Sequence, residues 1–182
     1  MRKGIWTPVF VTVLGFSAVA TLGHAQTPPP AQPMGEATME HAAVPTGPLK
    51  ITYAGKSSEW TPATLAALPH ATVTVYNEHA KATQTYSGVP LTTLLTQLGV
   101  PDKPHGKEFL LYLVAEGSDG YQVVYSLGEV SPDVHDGTTL VADTVDGKPL
   151  ANNGPFQLVA TGEKRPARWV RNLVSIRVQA AQ

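Results

Sequence analysis

Apolar and polar side chains alternate through Leu49-Lys50-Ile51-Thr52-Tyr53, and the β-branched centre makes this a strand with one buried face. The same period returns in Thr72-Val73-Thr74-Val75-Tyr76, a second strand. Between them Thr61 is a helix N-cap and Pro62 fills the first helical position, which predicts a short helix ending near Leu68-Pro69. Residues 77–87 are polar and predict a loop or a hairpin. The period then changes. Leu91, Leu94, Leu95 and Leu98 fall on one face of a helix predicted over 89–99, with Gly99 as its C-cap.

Residues 109–115 form an apolar run between polar turns, which predicts a buried strand. Ser118-Asp119-Gly120 turns the chain, and Tyr121-Gln122-Val123-Val124-Tyr125 returns as the hairpin partner. A short helical turn is predicted over 126–129, a strand over 138–143 and a tight turn at Asp146-Gly147. Residues 156–160 and 170–178 supply the last two strands. Strands outnumber helices and no repeat is visible, so the expected class is α+β: mainly-β mixed sheets with a few short helices.

The segments before Leu49 fit neither period. Arg2 and Lys3 precede an apolar run over 9–19, shorter than the ~20 residues a spanning helix needs. Gly23-His24-Ala25 then offers small residues before Gln26, so residues 1–25 are read as a secretory signal peptide, with an uncleaved anchor as the alternative. Residues 26–48, with Pro28-Pro29-Pro30, Pro33 and Pro45, are read as a disordered Pro/Ala-rich linker. One domain is left over 49–180, expected in the periplasm or secreted, with no stable membrane span after cleavage. The chain has no cysteine, which excludes a disulfide framework and any thiolate metal site. It carries 13 Lys and Arg against 14 Asp and Glu, and losing Arg2 and Lys3 makes the remainder more acidic. A nucleic-acid-binding surface is thereby excluded.

Against that balance the segment before the last strand is unusual. Lys164, Arg165, Arg168 and Arg171 crowd into eight residues beside Gly162 and Pro166, an arrangement suited to an anion such as phosphate. Positions 168 and 171 point to opposite faces of a regular strand, so a shared site requires a turn or bulge around 166–169. Without one, the arginines only solvate an outer face. Trp169 is expected to pack, whereas Tyr121 suits either packing or stacking on a flat heterocycle. Asn77-Glu78-His79 reads as a solvated loop and Asp133-Val134-His135-Asp136 as a surface turn between Pro132 and Gly137, with a metal ligand as the alternative in each, the second needing further ligands from elsewhere. His70 and His105 are expected in solvent-exposed loops. No Gly-x-Ser-x-Gly elbow and no His-Glu-x-x-His motif is present.

The order of the motifs resembles a known family. Tyr86-Ser87-Gly88-Val89-Pro90-Leu91 followed by Leu94 and Leu95, Asp119-Gly120-Tyr121, Asp146-Gly147-Lys148-Pro149-Leu150, Gly154-Pro155-Phe156-Gln157-Leu158-Val159 and Ala167-Arg168-Trp169-Val170-Arg171-Asn172-Leu173 are similar, in sequence order, to segments of the oxidoreductase molybdopterin-binding domain. That is the catalytic domain of sulfite oxidases and eukaryotic-type nitrate reductases. The resemblance covers nearly all of 49–178 and implies the sulfite-oxidase-type fold and a molybdopterin cofactor. It gives Arg168 and Arg171 the pterin-holding role, with Lys164 and Arg165 assisting. In that family one cysteine ligates molybdenum, just after the strand that precedes the GVPL helix. Here Tyr76-Asn77-Glu78-His79 fills that place, and the Asn and Arg pair that follows the cysteine is not visible. The expectation is therefore an exported domain that binds a pterin or other anionic small molecule without catalysing alone. The alternative is a cofactor-free module that binds a periplasmic protein partner.

Overall fold

The computed structural model describes residues 47–182. The leader expected over 1–25, the linker expected over 26–48 except its last two residues, and with them His24 and His41, lie outside the described residues.

The chain builds two sheets with few helices between them, as the α+β class requires. The first sheet starts with β1 (Leu49–Tyr53) and β2 (Lys56–Trp60). They form a hairpin whose turn, Ala54-Gly55, holds φ of 47° and 79°, the left-handed pair of a two-residue turn. Across the sheet lie β5 (Leu111–Gly117), its hairpin partner β6 (Gln122–Ser126) and β10 (Leu173–Ala180). The order is β2-β1-β10-β5-β6, so β10 runs through the centre, parallel to β1 and antiparallel to β5.

The second sheet joins β3 (Ala71–Asn77), β4 (Ala82–Pro90) and β7 (Thr139–Val145) in that order. Beyond β7 lie the two-residue β8 (Lys148–Pro149) and β9 (Gln157–Ala160). The region expected as loop or hairpin over 77–87 is a hairpin, and β4 continues to Pro90. Gly88 sits at an irregularity between β4 and β7 and lies so close to Val141 that a methyl group there would overlap the Val141 carbonyl.

Helices serve as short covers. α1 (Pro62–Ala66) opens with the expected Thr61 cap: the Thr64 N–H donates to Thr61 Oγ1 at 3.2 Å, and the Thr61 N–H to Thr64 Oγ1 at 2.9 Å. α2 (Leu91–Thr96) starts two residues later than its leucine pattern predicts, because Val89 and Pro90 pair with Val141 and Leu140 of β7. Its end is as expected: Gly99 takes φ 88°, Gly99 N–H donates to Thr96 C=O and Val100 N–H to Leu95 C=O, a Schellman closure. α3 (Leu127–Val130) is closed by a Ser126–Glu129 capping box. The core gathers the leucines of α2 with Ile51, Leu113, Phe156, Leu158 and Ile176.

Two boundaries differ from the sequence reading, and His70, exposed in a loop as expected, is held there. Phe109 and Leu110 belong to a 3-10 turn (Gly106–Leu110) and are half exposed, so the buried strand begins at Leu111. Asn172 takes φ 48°, which breaks the strand expected over 170–178; Val170 makes one isolated bridge to Leu158 and β10 begins at Leu173. His70 is anchored rather than free. Its Nδ1 donates to Leu68 C=O at 2.7 Å and its Nε2 meets the Asp143 carboxylate at 2.9 Å, a partner that raises the imidazole pKa.

Candidate functional site

A cleft of about 600 Å³ opens between the β3–β4 turn, the β5–β6 turn and the segment leading into β10. One wall is an amide and phenol network. Asn77, the last residue of β3, accepts the N–H groups of His79 and Ala80 with Oδ1, at 2.9 and 3.3 Å, which folds the turn back over the cleft. Its Nδ2 donates to Gln84 Oε1 at 2.8 Å and to Tyr86 Oη at 3.0 Å, and Tyr86 Oη donates to Gln84 Oε1 at 3.0 Å. Gln84 and Tyr86 are two apart on β4, so strand alternation turns both toward the same face. Burial raises the Tyr86 phenol pKa, which keeps it a neutral donor.

The opposite wall is the segment from Thr161 to Asn172, strapped across the ends of both sheets. Trp169 is buried: its indole N–H donates to Ala160 C=O at 2.8 Å and its ring meets Tyr86 edge-on at 5.4 Å. Tyr121 and Tyr125 hold the 3-10 turn Pro166–Arg168 from the other side. Tyr121 Oη donates to Ala167 C=O, and Tyr125 Oη donates to Arg168 C=O at 2.5 Å. Asp119 Oδ1 accepts the Tyr121 N–H at 3.0 Å, so the Asp119-Gly120-Tyr121 turn presents a carboxylate and an aromatic ring together at the rim. Asn153 and Gln157, joined by a 3.3 Å hydrogen bond, complete the lining.

The basic cluster divides. The turn required around 166–169 exists, yet it separates the arginines instead of joining them. Arg171 lines the cleft and is exposed there. Arg168 faces away: its guanidinium donates to Glu129 at 2.9 Å, meets Glu163 at 3.0 Å, donates to Val124 C=O at 2.9 Å and lies 4.1 Å over the Tyr125 ring. These contacts lock the strap to β6 and α3. Lys164 and Arg165 are exposed and do not line the cleft. Tyr121 does line it. Gln84 and Asn153 carry no motif, and Tyr86 and Gln157 lie in motifs that give them no site role; the Gln84–Tyr86 alternation on one strand face is what points inward.

The other candidates resolve as well. Asn77 and His79 face the cleft, while Glu78 pairs with Lys81 at 3.3 Å. Asp133 and His135 lie on a turn, where Ser131 C=O accepts the Val134 and His135 N–H groups and His135 Nδ1 accepts the Gly137 N–H. Among the described residues, no three His, Cys, Asp or Glu side chains gather as a metal site.

The Arg168 lock carries a pH signature. The Arg168 guanidinium, then the Ser126 N–H and hydroxyl, hold the Glu129 carboxyl at about 2, below its ordinary 4.5. A carboxyl depressed by folding stabilises fully above its unfolded pKa and loses that contribution as pH falls toward its folded pKa. The thermal midpoint is therefore expected to fall between pH 4.5 and 2. Glu116 beside Arg177 titrates in the same direction, so the diagnostic is the difference between the native chain and Glu129→Gln. Calorimetry across that window should give a flatter profile for the variant; parallel profiles would remove the lock.

No family model and no curated protein matches this chain.

Proposed function

We propose that this chain is an exported binding domain of the sulfite-oxidase-type molybdopterin-binding fold that holds a pterin-class anion in the cleft and is not a redox catalyst by itself. The observation that carries the reading is the meeting of Asn77, Tyr121 and Arg171 on one cleft from three separate parts of the chain.

The lining suits such a ligand group by group. Arg171 offers a guanidinium fork, which matches phosphate oxygens better than an ammonium does. Asp119 offers a carboxylate, which accepts from the amino-pyrimidinone edge of a pterin. Tyr121 adds an aromatic ring, and the amides of Asn77, Asn153 and Gln157 can pair with ring nitrogens and carbonyls. One arginine opposed by one carboxylate favours a heterocycle with a single phosphate over a polyphosphate.

The residues do not fit a molybdenum centre of the family's kind. That centre takes a protein thiolate, and this chain has none. At the corresponding turn Asn77 Oδ1 is already held by two backbone N–H groups. A binding role remains.

Calorimetric titration with a pterin monophosphate tests the proposal. Arg171→Ala is expected to weaken binding about ten- to hundredfold, the loss of a charge-assisted hydrogen-bond pair. Arg168→Ala is expected to lower stability and leave affinity within about threefold, since Arg168 faces away from the cleft. Equal affinity in the native chain and Arg171→Ala would sink the reading, as would no heat with the native chain at millimolar ligand.

A further inference from the structure

The edges of the two sheets are not equally guarded. In the first sheet, edge strand β2 carries exposed Lys56 and Glu59, and edge strand β6 has its Val124 carbonyl capped by Arg168. Charges and caps of this kind keep edges from pairing with other chains. Edge strand β3 has none. Ala71-Thr72-Val73-Thr74-Val75-Tyr76-Asn77 contains no charge and no proline, and its β4 register runs without a bulge. Among the described residues no strand pairs with its outer side.

The hydrogen-bonding groups on that outer side can be assigned. Thr85 N–H donates to Asp146 Oδ1, and Thr85 C=O accepts the Asp146 N–H, so the Thr85 main chain faces β7. Thr74 lies directly opposite Thr85 and is therefore in a non-hydrogen-bonded pair with it. The N–H and C=O of Thr74, and by alternation those of Thr72 and Tyr76, point outward from the edge.

We propose that this edge joins a second copy of the chain, antiparallel, with a two-fold axis through Thr74. In that register Thr74 faces Thr74 of the other copy, and Thr72 faces Tyr76. These are the positions with outward main-chain groups, so each pair closes both of its hydrogen bonds. Val73 meets Val75, and the half-exposed parts of these two valines, already packed on the core, are covered. Nothing in the register opposes like charges. An isologous contact of this kind is closed, which makes a dimer and not a fibre.

The absence of cysteine makes the register directly testable in the full-length chain. A hydrogen-bonded antiparallel pair holds its Cα atoms about 5.5 Å apart, within disulfide reach. Thr74→Cys is expected to give a disulfide-linked dimer on mild oxidation. Thr72→Cys and Tyr76→Cys, each about 13 Å from its own copy in this register, are not. In analytical ultracentrifugation the native chain is expected to sediment as a dimer and Thr74→Lys as a monomer. A native monomer at every concentration would overturn the proposal and leave the edge to a different partner. Equal cross-linking at 72, 74 and 76 would overturn it too, since random collision then suffices.

Discussion

Gly88→Ala is expected to cost the domain about 3 kcal/mol, at the upper end of what overpacking does. The Cβ added there would lie 2.2 Å from the Val141 carbonyl oxygen, 2.4 Å from Ala142 Cα and 2.7 Å from the Val141 carbonyl carbon. All three are backbone atoms of β7, and none can rotate aside as a side-chain tip would. The strands β4 and β7 must separate, and with them the ladder on either side of the irregularity at Ser87 and Gly88. With a urea m-value of about 1.5 kcal/mol/M, the unfolding midpoint should fall by about 2 M. Gly47→Ala is the control, because a Cβ at Gly47 meets nothing within 4 Å. A midpoint for Gly88→Ala equal to that of the control would mean the strands are further apart than described. The effect should reach the cleft as well, since Gln84 and Tyr86 ride on the same strand.

Trp169→Ala should be at least as damaging, by about 4 kcal/mol, the range for removing a buried aromatic side chain. It removes the edge-on contact with Tyr86 and leaves the buried Ala160 carbonyl without its indole donor. Trp169→Phe separates these causes. It keeps most of the ring contact and loses only the hydrogen bond, for about 1 kcal/mol. Trp169 also joins the strap to the second sheet, so the alanine variant should lose pterin monophosphate binding at temperatures where it is still folded. Denaturant unfolding and titration on the same samples check both parts. Folded Trp169→Ala that binds as the native chain does would show that the strap does not shape the cleft.

Local chemistry made most of the fold legible. Thr61 before Pro62, the four leucines closed by Gly99 and the Asp146-Gly147 turn are each decided within a few residues, and each appears where the pattern put it. The failures are tertiary. Val89 and Pro90 were drawn into a helix by the leucines that follow, but β7 offered them a ladder and they joined β4. Phe109 reads as core because it is apolar, yet it lies exposed over Gly128. The site divides along the same line. Tyr121 and Arg171 were visible as an aromatic and a cation near turns, and both line the cleft. Arg168 looked equivalent to Arg171 in sequence. Only the positions of Glu129 and Tyr125, distant in the chain, and of Glu163 on the same strap show that its charge is already paired internally. Asn153 has no local signal and Gln157 sits in a motif that gives it no role, since an amide gains meaning only from what faces it.

The central place of β10 has a temporal side. Lys50 pairs with Ser175, so the first sheet joins residues from opposite ends of the domain. Without β10, the β1–β2 and β5–β6 hairpins have no strand to join them. Closing so long a loop costs entropy before any pairing rewards it, and folds of this kind assemble slowly. The first sheet therefore stays in two halves until β10 is available to pair with both.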